Sequence, residues 1–115
     1  MSSISRVHLR ALRFGADFNQ PVGALSSLQN KNLAFLEFGG ELNQPVDALS
    51  SLLNLTHLEF GGRFSQYGGQ FNQPVDALSS LHNLTSLKFG KMFNQEVDAL
   101  SFLENLTHFE IWLGV

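Results

Sequence analysis

Cysteine is missing from all 115 residues, which removes disulfide frameworks and thiolate metal sites at once. Charge is scarce as well. Only 15% of residues are Asp, Glu, Lys or Arg, the net charge is −3, and the seven Lys and Arg are scattered. A nucleic-acid partner wants basic side chains clustered on one face, so none is expected. No apolar run approaches the ~18 residues of a membrane span, so no membrane partner is expected either. The opening MSSISRVHLRALRF lacks the apolar stretch of a secretory signal, and with no cysteine present a cytoplasmic location is expected. Tyr and Trp occur once each and Pro three times. Against these shortages, 43% of residues are apolar, enough for the core of one domain, and eleven of the residues are Phe.

The Phe residues recur in fixed phrases. FNQPV occurs at Phe18 and Phe71, LNQPV at Leu42 and FNQEV at Phe93. A second phrase, L-x-x-L-x-F-G, reads Leu9/Leu12/Phe14, Leu33/Leu36/Phe38, Leu55/Leu58/Phe60 and Leu84/Leu87/Phe89, and fades to Leu106/Phe109/Ile111. The steps between first leucines are 24, 22, 29 and 22 residues. The unit is therefore 22 residues, with two extra at Gln29–Asn32 and seven extra in an insert at 63–69. A catalytic site is assembled once, whereas a phrase written four times is a structural unit.

Each column of the repeat has a physical meaning. Leu and Phe at i and i+2 alternate with polar residues, the period of a strand with one buried face. Gly15, Gly39, Gly61 and Gly90 end the strands and are expected to take positive φ. Asn19, Asn43, Asn72 and Asn94 follow an inward-pointing Phe or Leu, and stacked coil on coil they would form an asparagine ladder that satisfies backbone groups at the corner. Pro21, Pro45 and Pro74 suit an unpaired arm, with Glu96 in the fourth place. In VDALSSL the apolar residues are spaced by three, as at Val46/Leu49/Leu52, which fits a 3₁₀ turn, and Asp47, Asp76 and Asp98 are expected to N-cap it. One unit is a strand, a tight corner and a short helical arm. It cannot bury its apolar side alone, but stacked units can.

The chain therefore reads as a single solenoid over residues 1–115, with repeats starting near 9, 33, 55, 84 and 106. LxxLxFG followed in phase by FNQP resembles the FNIP repeat, a subclass of leucine-rich repeat, from about Leu9 to Ile111. FNQP alone also resembles BspA-like repeats, more weakly. The insert departs from the pattern, as does Trp112 in place of the last Gly. The resemblance implies an α/β-type repeat solenoid: about five parallel strands on the concave side, short 3₁₀ turns on the convex side, and protein interaction as the function. The F-box or kinase modules that accompany such repeats in longer relatives do not fit in this chain.

Outward strand positions would line the concave face. One column runs Arg13, Glu37, Glu59, Lys88, Glu110, with opposite charges adjacent at three steps. Its plain reading is a ladder of weak surface ion pairs, and its functional reading is a partner surface with exposed Phe35 as anchor. His57/Glu59 and His108/Glu110 have acid–base spacing, but two strands separate the histidines by ~9.6 Å, too far to share one zinc. No catalytic motif stands out from the repeat, so no enzyme activity, cofactor or metal is expected. Asn54, Asn83 and Asn105 match glycosylation sequons, yet the repeat generates that pattern and the expected role is capping the turn into each strand. Phe64 and Tyr67 in the insert are either a binding pair or the relic of an incomplete duplication.

Neither end reads as a polar cap, so the chain is expected to be a piece of a longer array or to cover its ends with a partner, with Trp112 and Leu113 as the candidate assembly edge. Three functions follow from these readings. The first is a non-enzymatic protein-binding module using the concave face and the insert. The second is a structural module that self-assembles end to end. The third and weakest is an ice- or carbohydrate-binding face on the Thr56/Thr85/Thr107 column.

Overall fold

The computed structural model describes residues 9–27, 32–61 and 69–111. Its backbone is a stack of coils. Five short strands, β1 (Ala11–Arg13), β2 (Phe35–Phe38), β3 (His57–Phe60), β4 (Ser86–Phe89) and β5 (His108–Ile111), form one parallel sheet in chain order. The register is that of the repeat: Leu12, Leu36, Leu58, Leu87 and Phe109 are neighbours along one row, and Arg13, Glu37, Glu59, Lys88 and Glu110 along the next. The opposite side of each of the first four coils carries a five-residue 3₁₀ turn, at Gly23–Ser27, Asp47–Ser51, Asp76–Ser80 and Asp98–Phe102.

The core lies between sheet and turns. Leu36, Leu58 and Leu87 point in from the strands, and Val46, Leu49, Val75 and Leu78 point back from the arms, all fully buried. Phe residues fill the remaining corner in two stacked columns. Phe14, Phe38, Phe60 and Phe89 follow one another at ring-centroid distances of 5.0, 5.5 and 5.5 Å, and Phe71 and Phe93 stack against them at 4.1 and 3.9 Å. Aromatic pairs of this kind add ~0.5–1.5 kcal/mol each beyond the area they bury. A parallel sheet spaces its strands at about 4.8 Å, close to ring-stacking distance, so the repeat places one Phe above another with little adjustment.

The corner is held by an amide ladder. The backbone N–H of Asn43 donates to Asn19 Oδ1 at 2.9 Å, that of Asn72 to Asn43 Oδ1 at 2.9 Å, and that of Asn94 to Asn72 Oδ1 at 2.8 Å. Gln44, Gln73 and Gln95 then donate their Nε2 to the same three oxygens at 3.0 Å. The Gln of FNQPV, unassigned by the sequence reading, thus doubles each rung. At the other end of the coil Asn83 and Asn105 donate Nδ2 to the carbonyls of Leu53 and His82 one coil earlier. They were expected to cap a local turn, and instead they join coils.

Two further expectations are corrected. Asp47, Asp76 and Asp98 are the first residues inside their turns, and the residue before each, Val46, Val75 or Val97, has no side-chain cap. The Val carbonyl already accepts the first turn bond, as in Leu49 N–H to Val46 C=O at 2.9 Å, so the Asp stands one place too late to cap. Of the four strand-ending glycines, only Gly61 has positive φ, at 104°. Gly39 and Gly90 are required by crowding: a Cβ would stand 2.5 Å from Ala16 Cα in the first and 2.6 Å from Gly69 Cα in the second. Gly15 has open space.

Gly69 belongs to the stack. Its N–H donates to the Gly40 carbonyl at 3.0 Å, and its own carbonyl accepts from Met92 N–H at 3.1 Å. It closes the coil that Gly61 left, and it too has positive φ, at 93°.

Since the rung oxygen only accepts, Asn72→Asp should keep most of the corner while Asn72→Ala loses about 1–2 kcal/mol, read from urea unfolding. Equal losses in the two variants would refute the acceptor role. Gly90→Ala should cost about 2–3 kcal/mol and Gly15→Ala close to nothing, measured as thermal shifts. A tolerant Gly90 would mean that the coils are not as closely set as described.

Candidate functional site: the concave sheet

Alternation within each strand leaves two outward columns on the sheet. The first holds Ala11, Phe35, His57, Ser86 and His108, and the second holds Arg13, Glu37, Glu59, Lys88 and Glu110. Parallel pairing sets each of these side chains beside its equivalent on the next strand, so the columns interact along their length.

Across the first three strands they form a stack. The Phe35 and His57 rings lie 4.4 Å apart and within 8° of parallel, and the Arg13 guanidinium sits 4.6 Å from the Phe35 centroid. Arg13 Nε also reaches Glu37 Oε1 at 3.3 Å. Phe35, expected to be exposed, is half-buried between these neighbours. It presents a ring edge backed by a cation and an imidazole, and so needs little ordering on contact with a partner.

Near the last strands the column is ionic. Lys88 Nζ lies 3.3 Å from Glu59 Oε1 and 3.9 Å from Glu110 Oε2, and His108 Nε2 lies 2.8 Å from the same Glu110 oxygen. All three charge pairs expected from the sequence are therefore formed. Glu59 is 6% exposed, although it stands in an outward column. Lys88 covers it and bridges it to Glu110. The exposed Lys88–Glu110 pair contributes ~0–1 kcal/mol, so at this edge the column sets charge pattern more than stability.

No protein-family model matches the chain, and no curated protein matches it. Solved structures do. An internalin (inlF) from Listeria monocytogenes superposes on 96% of this chain with a TM-score of 0.71 at 22% identity. Internalin C2 (inlC2) from the same organism covers 84% with a TM-score of 0.59 at 24% identity. The fold is a leucine-rich-repeat solenoid. The chain spans 31% and 39% of the lengths of those two proteins.

Within this leucine-rich-repeat frame the remaining candidates sort by position. Phe64 and Tyr67, and the edge residues Trp112 and Leu113, lie outside the described residues. His57 and His108 are separated by Ser86 of the intervening strand, and among the described residues no three His, Asp or Glu side chains gather as metal ligands. The threonine hydroxyls are bonded along the stack: Thr56 Oγ1 donates to the Ala34 carbonyl, Thr85 Oγ1 to that of Thr56 and Thr107 Oγ1 to that of Thr85, at 3.2, 3.0 and 3.2 Å. A hydroxyl spent on the ladder is a poor donor to ice or sugar. On the corner side, Pro74, Asp76, Asn94, Gln95 and Glu96 line an open groove of about 360 Å³ over the amide ladder.

Burial lowers the pKa of His57 below its ordinary 6.5; Glu37 opposes this, while Lys88, His108 and Arg13 push the same way as burial. The unfolded chain takes the proton as pH falls through about 6.5, and the folded chain only at lower pH. The stability carried by neutral His57 is therefore complete above 6.5 and is lost as pH falls toward the folded pKa. The urea midpoint should drop on acidification below 6.5, and His57→Phe, which keeps a ring against Phe35, should flatten that drop. An unchanged pH slope in the variant would assign the effect to other groups.

Proposed function

We infer that this chain is a non-enzymatic protein-interaction module built on an FNIP-type leucine-rich repeat, with the concave sheet as its binding surface. The observation that carries the reading is the Arg13–Phe35–His57 stack, an aromatic anchor already fixed by its neighbours on an outward face. Anchors of this composition dominate the energetics of protein interfaces, and a preorganised ring loses little freedom on binding. The FNQP corners, repeated in phase with LxxLxFG, support the repeat type. The ionic column adds positioning charge to that face. Lys88, Glu110 and His108 would then set the orientation of the partner, and Arg13 with Phe35 its grip.

A photo-crosslinking residue placed at Ser86 on the concave face, with Ser51 on the convex arm as control, tests this in a lysate of the source cells. The same protein should be captured from Ser86 and not from Ser51, and Phe35→Ala should weaken its binding about thirtyfold at unchanged secondary structure. Capture that is equal from both faces, or untouched by Phe35→Ala, would overturn the reading.

A further inference from the structure

Planar groups follow one another across the concave sheet at stacking distance until β4 interrupts them. Arg13, from β1, lies over the Phe35 ring of β2, and His57, from β3, stacks on that ring at 4.4 Å and within 8° of parallel. The next place in the column belongs to Ser86 of β4, and the one after it to His108 of β5. Ser86 carries no ring. Among the described residues, therefore, the face of His57 turned toward β4 has no stacking partner.

The gap is one ring high. Strands of a sheet lie ~4.8 Å apart, so His57 and His108 stand about 9.6 Å apart along the column. A ring set midway is then ~4.8 Å from each, inside the ~4.5–7 Å range of aromatic pairs. The core fills equivalent steps with rings, as where Phe60 follows Phe38 and Phe89 follows Phe60, each at 5.5 Å. Ser86 is half-buried, and its hydroxyl has no hydrogen-bond partner among the described residues. On the far side His108 is held through Nε2 by Glu110 at 2.8 Å. The carboxylates beside the gap are already engaged, Glu59 by Lys88 and Glu110 by both Lys88 and His108. An arginine entering there would find no free carboxylate to pair with, whereas an aromatic ring needs none.

Resting on the concave sheet as the binding surface, we propose that the gap over Ser86 receives an aromatic side chain of the protein partner, stacked between His57 and His108. Trp offers the largest face for such a slot. The partner's ring completes a series of guanidinium, phenyl, imidazole, aromatic and imidazole groups across the five strands. One wall is ordered in advance, because His57 is stacked on Phe35 and Phe35 is backed by Arg13, so little freedom is lost when the ring enters. Ser86 becomes the residue that sets specificity. Ala in its place keeps the slot open, and a large side chain closes it.

The slot can be tested without the partner. N-acetyl-tryptophanamide titrated into the 115-residue chain should shift the imidazole proton resonances of His57 and His108, with a Kd of about 1–10 mM, as suits one side chain. His82, exposed just past the 3₁₀ turn Asp76–Ser80, should not respond, and N-acetyl-valinamide should move none of the three. Ser86→Ala should keep the response. Ser86→Phe supplies the ring from the chain itself, so it should abolish the response and raise the thermal midpoint by about 2–4 °C. Shifts as large at His82 as at the other two overturn the proposal, and so does a response that survives Ser86→Phe. A lower midpoint in that variant overturns it too, because the gap would then be less than one ring high. An aliphatic crosslinker at Ser86 does not stack and swings out of the gap toward a bound protein, so capture from that position is still expected. Probe binding without face-specific capture would leave the slot standing and overturn the interaction surface; capture without probe binding would do the reverse.

Discussion

A single coil of this chain has nowhere to put its leucines. Leu36 and Phe38 point from their strand into a space bounded laterally by Val46 and Leu49, but that space is closed above and below only by the neighbouring coils. Burial is thus a property of the stack, and the distance between coils becomes the quantity that every other group must obey. Phe rings suit that distance because it is near their own stacking distance. Gly39 and Gly90 suit it because any side chain would hold adjacent backbones apart. The amide ladder suits it because a single Asn oxygen reaches the N–H one coil away and still accepts a second bond from Gln.

The same constraint shapes the outward face. Side chains that repeat at the coil spacing sit close enough to be partners, so a column of charges is also a column of ion pairs. Lys88 between two carboxylates, and Arg13 between Phe35 and Glu37, are ordered by their neighbours before anything else arrives. The concave sheet is thereby a pre-arranged surface with little free charge in its middle. Its most exposed charges lie at its two edges, Arg13 at one and Glu110 at the other.

Much of this was legible in the sequence because a repeat supplies several readings of each position. Strand order, register, the 3₁₀ arms, the asparagine ladder and all three charge pairs follow from aligning the units. What escaped were the features decided by depth and direction between coils, which letters along one coil do not carry. Glu37 and Glu59 stand in an outward column, yet both carboxylates are largely covered, with side chains 13% and 8% exposed. Asn83 sits where a local cap is reasonable, yet the carbonyl of Leu53 below lies within reach. Gly90 looks like a turn glycine and is a packing glycine, because the crowding comes from Gly69, a residue of the neighbouring coil. Phe35 reads as exposed until the His57 ring of the next strand is laid against it.

The glycine pair at the third corner has a consequence for what this scaffold can carry. A Cβ on Gly61 would stand 3.5 Å from Gly69 Cα, so the two points of the stack that flank residues 62–68 lie close together. The coils above and below meet an uninterrupted corner, with Gly69 bonded to Gly40 on one side and to Met92 on the other. Closing a longer segment across so short a gap raises the entropic cost only logarithmically with its length. That corner is a port: peptide of other length or composition can be spliced in without the stack registering the change, which makes it the natural place to graft an epitope, a label or a recognition loop.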